Sequence, residues 1–202
     1  MQKKNSPSDH PMTNLRFLRV FARTSAHEGG YVNDPDDLGR ETYRGISRRW
    51  HPEWPGWILV DDMMGRNDFP KCLDERASLQ GLVREFYRTE FWDKVHGDDI
   101  ESEAVAAELF DTAVNMAPKD AVTILQRCLN ALNKWVMPDL KIDGIIGPET
   151  VAFLSGYLEH GSEEALLIGM NSEQGHHYIE RGLTKKSQRR FVKGWLLKRV
   201  GG

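Results

Sequence analysis

A carboxylic acid, Glu28, stands directly before Gly29-Gly30, and an acid-rich stretch, Asn33-Asp34-Pro35-Asp36-Asp37-Leu38-Gly39, follows it closely. Two carboxyl groups flanking one bond are what hydrolysis of a glycosidic linkage needs: one protonates the leaving oxygen while the other activates water. Glu28 suits the first role. It closes an apolar-periodic segment, so its side chain falls at a boundary between core and cleft, where partial burial raises a carboxyl pKa and keeps the proton on near neutrality. Taken alone, a helix-end glutamate is more often simply exposed; the glycine pair and the acidic loop favour the catalytic reading. Asp37 suits the second role, because turn chemistry between the two positions can fold the loop back on Glu28. Asp34 and Asp36 compete for it, and an Asp beside Pro or Gly is also an ordinary turn former. An inverting geometry separates the two carboxyls by roughly 6.5–9.5 Å to admit the water. The Thr42 hydroxyl is a candidate to hold that water, a plain strand threonine being an equal reading. Tyr43, its neighbour on the same short run, is expected to meet substrate.

Other chemistries find less support. There is no Gly-x-Gly-x-x-Gly, no P-loop and no Gly-x-Ser-x-Gly, so nucleotide cofactors and serine-hydrolase chemistry are not expected. The Asp-Pro-Asp-Asp run departs from the EF-hand pattern, and His176-His177 lacks companion ligands at metal spacing. No cofactor and no metal are expected. Cys72 and Cys128 are too few for a disulfide framework, and Cys128 lies in an apolar-periodic run that suits a small buried side chain. Trp50, Trp54 and Trp57 sit in a loop near the acidic segment; core packing is their default role and stacking on sugar rings the sharper one.

The chain has 202 residues, 40% hydrophobic and 28% charged, enough for one domain with a real core. Lys plus Arg number 27 against 30 Asp plus Glu, a net charge of −3, which argues against nucleic acid as the main partner. The charge is uneven. Asp98, Asp99, Glu101, Glu103, Glu108 and Asp111 crowd one region, while Lys185, Lys186, Arg189, Arg190, Lys193, Lys198 and Arg199 crowd the C-terminal end. The second group reads as a solvated helix face or as a docking patch for an anionic polymer. No apolar run approaches a membrane span. Residues Met1 to Thr13 are polar, carry Pro7 and Pro11 and lack the apolar centre of a secretory signal, so a frayed tail without a cleavable leader is expected.

The elements that must hold the candidate residues are mainly helical. Leu15, Leu18, Phe21 and Ala22 recur at helical spacing from an N-cap at Asn14, predicting a helix to about Glu28 that Gly29-Gly30 ends. Residues 31–47 read as turns leading to a short hairpin, and 48–72 as an irregular loop with short helical turns. Leu79, Leu82, Val83, Phe86 and Tyr87 mark a helix ending near Phe91-Trp92, and Val105 to Val114 mark another. Ala121, Leu125, Leu129 and Leu132 mark a third, with Pro118 near its start. A turn at 140–147 feeds a helix opening at Pro148, and the last two helices span Glu163 to about Arg181 and Gln188 to Arg199. No linker or repeat divides the chain.

These blocks resemble family 108 glycoside hydrolases, the N-acetylmuramidases. The resemblance rests on Glu28-Gly29-Gly30-Tyr31-Val32-Asn33-Asp34 with Gly39, Thr42 and Gly45-Ile46-Ser47. It continues, in order, through Phe91-Trp92-Asp93, Leu109-Phe110-Asp111-Thr112-Ala113-Val114-Asn115, Leu125-Gln126, Asp143-Gly144-Ile145-Ile146-Gly147-Pro148-Glu149-Thr150 and Phe191-Val192-Lys193-Gly194-Trp195. It implies a mainly α, lysozyme-like, two-lobed helical fold with a short β-hairpin near the active site. Residues 14–202 would form one domain, with a catalytic lobe over about 14–114 and a peptidoglycan-binding-like lobe over about 115–202. It implies cleavage of the β-1,4 bond between N-acetylmuramic acid and N-acetylglucosamine in peptidoglycan, with Glu28 as acid and Asp37 and Thr42 as its partners. Arg40, Asn115 and Trp195, with Tyr43, are the implied substrate contacts; Arg40 stands where the family usually has glycine. Family members include phage lysins and secretion-associated muramidases. The implied partners are therefore peptidoglycan and a holin or secretion system, with synthesis in the bacterial cytoplasm and action in the periplasm or wall. A lytic transglycosylase or a non-catalytic wall-binding module are the alternatives.

Overall fold

Helix α1, Pro11–Ser25, presents Phe17 and Val20 to the interior, buried to 2% and 1% exposure. It begins four residues earlier than an N-cap at Asn14 would place it. A computed structural model describes residues 11–25, 29–33, 41–134 and 137–200; of the tail predicted over Met1–Thr13, residues 1–10 lie outside them and Pro11–Thr13 belong to α1. The chain forms two compact units, the first running to Glu90 and the second from Phe91.

In the first unit three short strands form one antiparallel sheet: β1 (Tyr31–Asn33), β2 (Glu41–Tyr43) and β3 (Ile46–Ser47), in the order β1-β2-β3. Tyr31 pairs with Tyr43, Val32 with Thr42 and Asn33 with Glu41; Thr42 pairs with Ser47 and Tyr43 with Ile46. Arg44 (φ 44°) and Gly45 (φ 77°) join β2 to β3. Two successive positive φ values are those of a type I′ turn, whose twist matches that of the strands it joins. Gly45 adopts this freely, whereas Arg44 needs external support. Its guanidinium donates to Asp74 Oδ1 at 2.8 Å and 3.3 Å, and its carbonyl accepts the Tyr87 hydroxyl at 2.9 Å.

The stretch 48–72, expected to be an irregular loop with short helical turns, contains α2 (Gly56–Met63), with Trp57, Val60 and Met63 buried. Trp54 and Trp57 meet edge to face at 5.2 Å, and a methyl group at Gly56 would overlap the Trp54 ring, which explains the glycine. Two helices complete the first unit, α3 (Cys72–Glu75) and α4 (Ala77–Tyr87). Leu79, Val83 and Tyr87, one helical turn apart, give α4 a single buried stripe.

The second unit is built around Trp92, fully buried, with its ring against Phe110 at 5.7 Å and its indole N–H donating to Asp98 at 2.9 Å. Helix α5 (Glu103–Asn115) starts at Ser102, whose hydroxyl accepts the Val105 N–H at 3.1 Å. Helices α6 (Pro118–Leu132) and α7 (Pro148–His160) both carry proline in the first turn, as predicted. Helix α8 (Glu163–Thr184) packs against α5 and α6, and a final helical run comprises α9 (Arg189–Trp195) and a wider turn over Leu196–Val200. Val105, Leu109, Phe110, Leu125, Leu129, Leu166 and Met170 are fully buried among these helices.

Candidate active site

Glu28, Asp37 and Arg40 lie outside the described residues, as do Asp34 and Asp36; what is described is the frame from which they spring. Residue 25 ends α1, β1 begins at Tyr31, and the Asn33–Glu41 pair holds the two feet of the segment 34–40. The residues on either side of the acidic cluster are thus paired with one another.

That pair is pinned by an ion network that sequence spacing did not suggest. Glu41 is reached on both oxygens, by the Tyr31 hydroxyl at 3.0 Å and by Arg48 at 3.0 Å. Arg48 also grips Asp61 of α2 with two bonds of 2.6 Å and lies over the Trp57 ring at 5.2 Å. The Arg48 hydrogen bonds hold the Asp61 carboxyl below its usual value, while burial and then the Glu41 contact raise Tyr31. A forked guanidinium bridging two carboxylates fixes geometry as well as charge. The only sequence signal for it was alternation, which puts Glu41 on the same face of β2 as the buried Tyr43.

Thr42 and Tyr43, predicted to act side by side, face opposite ways. Thr42 lies between Val32 and Ser47 on the sheet face where Val32 is 49% exposed, so its hydroxyl is on the more open side. Tyr43 is 1% exposed: its hydroxyl donates to Asp74 at 3.2 Å and accepts from Gln80 at 2.7 Å, and burial raises its pKa. The structure thus corrects the expectation for Tyr43, giving it the role of a core tyrosine that ties the hairpin to α3 and α4. Of the tryptophans, Trp54 and Trp57 are core residues and Trp50 is 67% exposed with the Arg49 guanidinium over it.

Asn115 and Trp195 lie in the second unit. The Asn115 amide donates to the Asp111 carbonyl at 2.7 Å and to its carboxylate at 3.1 Å. Asp111 receives the nearly buried Arg199 on its other oxygen at 2.5 Å. Trp195 sits between Phe191 and Tyr178, at 5.8 Å and 5.2 Å, with the Arg181 guanidinium near its face. Both residues hold internal partners. Beside them lies an acid that the sequence showed only as one of a crowd. Glu108, half-buried one turn before Asp111, accepts from Thr112 at 3.3 Å, and Thr112 in turn accepts from Gln174 at 2.9 Å. Burial, then the Asp111 charge, push the Glu108 carboxyl up to about 7. Among the described residues, no group of three or more His, Cys, Asp or Glu could hold a metal ion, and no helix is long and apolar enough to cross a membrane.

Comparison with known proteins bears on this frame. Residues 21–117 match the family model described as glycosyl hydrolase 108, and residues 120–200 match that of a predicted peptidoglycan domain. The comparison with curated proteins gives no match. Among solved structures, one similar chain is SagA of Brucella abortus, 21% identical, with a TM-score of 0.54, covering 93% of this chain and 97% of that one. At that identity the likeness is one of fold, and the mainly α, lysozyme-like class expected from the sequence holds.

Proposed function

Since residues 21–117 match the glycosyl hydrolase 108 family and residues 120–200 a predicted peptidoglycan domain, we propose that this chain is an N-acetylmuramidase. A glycoside hydrolase with a peptidoglycan domain acts on peptidoglycan; the finer assignment concerns the bond and the residues. The bond is the β-1,4 linkage between N-acetylmuramic acid and N-acetylglucosamine. Glu28 protonates the leaving glycosidic oxygen. Asp37, ionised, takes a proton from a water that attacks the anomeric carbon on the opposite face, so the configuration inverts. Thr42, on the open face of β2, holds that water through its hydroxyl.

The observation that carries this reading is the family match across the segment that contains Glu28 and Asp37, together with the paired strands on either side of the acidic stretch. Partial burial of its carboxyl would keep Glu28 protonated near neutrality, which proton donation requires. The substrate lies outside the cytoplasmic membrane, so the enzyme would act in the periplasm or wall, reached through a holin or a secretion route.

Digestion of purified sacculi tests the proposal. The wild-type protein should release fragments with reducing muramic ends, and Glu28→Gln should lower turnover at least about 10²-fold without loss of fold. Anhydro-muramic ends would replace the hydrolase with a lytic transglycosylase, and near-wild-type lysis by a folded Glu28→Gln variant would remove Glu28 from the mechanism.

A further inference from the structure

The last twenty described residues, Arg181 to Val200, hold eight Lys or Arg and no Asp or Glu, in a chain whose net charge is −3. Three of the cations are engaged inward. Arg199 binds Asp111, Arg181 lies over Trp195, and Arg189 donates to the Gly182 carbonyl at 3.0 Å. Lys185, Lys186, Arg190 and Lys193 are exposed, and among the described residues none of the four pairs with a carboxylate. Sequence alone left this stretch as either a solvated face or a docking patch.

Helical geometry decides how the cations are arrayed. In the run from Arg189 to Val200, one face is fixed by α8: Val192 approaches Gly182, Trp195 packs on Tyr178, and Leu196 and Val200 approach Gly175. The opposite face therefore carries Arg190, Lys193 and Leu197, spaced i, i+3, i+7. A methyl group at Gly194 would meet nothing within 4 Å, so that side is open. Leu197 is 66% exposed, Leu183 at the end of α8 61%, and Phe191 42%, with the Arg190 guanidinium 4.6 Å above its ring. The open face of this run thus carries two cations and a bare leucine, and exposed Leu183, Lys185 and Lys186 lie just before it in the chain.

We propose that this surface docks the protein on a bilayer bearing anionic lipid headgroups. Lys185, Lys186, Arg190 and Lys193 meet the phosphates, and Leu183, Phe191 and Leu197 reach the acyl boundary. A soluble polyanion would satisfy the cations but gain nothing from three exposed apolar side chains; an anionic bilayer uses both. The helix lies on such a surface without entering it as a span.

Cosedimentation with vesicles of phosphatidylglycerol and phosphatidylcholine, against phosphatidylcholine alone, tests the proposal using the full chain. The wild-type protein should bind the anionic vesicles only, and less as salt rises. Each cation reversed to Glu among Lys185, Lys186, Arg190 and Lys193 should weaken binding about fivefold or more. The double variant Leu183→Ser/Leu197→Ser, at sites too exposed to disturb the fold, should weaken it about tenfold. Circular dichroism would verify that each variant is folded. Absence of wild-type binding to the anionic vesicles overturns the proposal. So does unchanged binding by Leu183→Ser/Leu197→Ser combined with equal competition by soluble polyphosphate, which would make the surface a polyanion site instead.

Discussion

Glu108 illustrates how burial changes the chemistry of one side chain. It is half-buried on α5, with Thr112 donating to it, Asn171 beside it and Asp111 one turn on. In the folded chain its carboxyl titrates at about 7, against an ordinary value of 4.5. Below 4.5 both folded and unfolded chains keep the proton, and the site costs nothing. Between 4.5 and 7 the unfolded chain loses the proton first, so the folded state is progressively disfavoured, and the full cost applies above 7. Urea denaturation at fixed salt should show stability falling by about 1–3 kcal/mol from pH 5 to pH 8 through this group. Glu108→Gln should flatten that slope; an identical slope in the variant would show that Glu108 is not its source. Sequence could not single out this residue, because it stands among many acids between Asp98 and Asp111 and its burial comes from α8, far along the chain. Tyr43 is a different case. Adjacency to Thr42 suggested a shared task, but alternation along a strand turns neighbours to opposite faces, and that rule was available without any structure.

At the scale of elements, the turn that feeds α7 is held by side chains of α6. Gln126, 1% exposed, accepts the N–H groups of Asp143 and Gly144 at 3.1 Å and 2.9 Å, and donates to Asp143 and to the Ile145 carbonyl, both at 3.1 Å. One turn later Asn130 accepts the Leu140 N–H and donates to its carbonyl, both at 2.8 Å. Two amide side chains thus supply the hydrogen bonds that an irregular segment lacks internally. Gly144, at φ +70°, fits where a methyl group would press on Lys119 and Thr123. Gln126→Leu leaves two N–H groups and a carbonyl without partners beside a buried surface, and should cost about 2–4 kcal/mol. Chemical denaturation would measure it, and a loss below about 1 kcal/mol would mean that water replaces the amide. The turn and the proline start of α7 were legible, because turn and cap chemistry is local. Its dependence on Gln126 was not, since the partners are distant in sequence and an isolated Gln carries no pattern. Helix α2 was expected only as short helical turns for a related reason: prolines and tryptophans at 50–57 obscured a short apolar period.

At the scale of the whole chain, family boundaries and packing boundaries fall in different places. The hydrolase match ends at residue 117 and the peptidoglycan-domain match begins at 120, yet the chain's compact units divide after Glu90. Helix α5 belongs to the hydrolase match by sequence but packs against α6 and α8. Its Val105, Ala106, Leu109, Phe110 and Ala113 are all fully buried. Each large side chain among them is worth about 1.5–3 kcal/mol when taken from water, and most of that is lost if α6 and α8 are removed. A fragment ending at Ala117 should therefore expose an apolar stripe on α5, bind a hydrophobic dye, unfold without cooperativity and fail to lyse sacculi. The full chain should unfold cooperatively and bind little dye under the same conditions. A soluble, cooperatively folding and lytic fragment of residues 1–117 would show instead that the hydrolase segment is self-sufficient, and that the packing of α5 with α6 and α8 is dispensable.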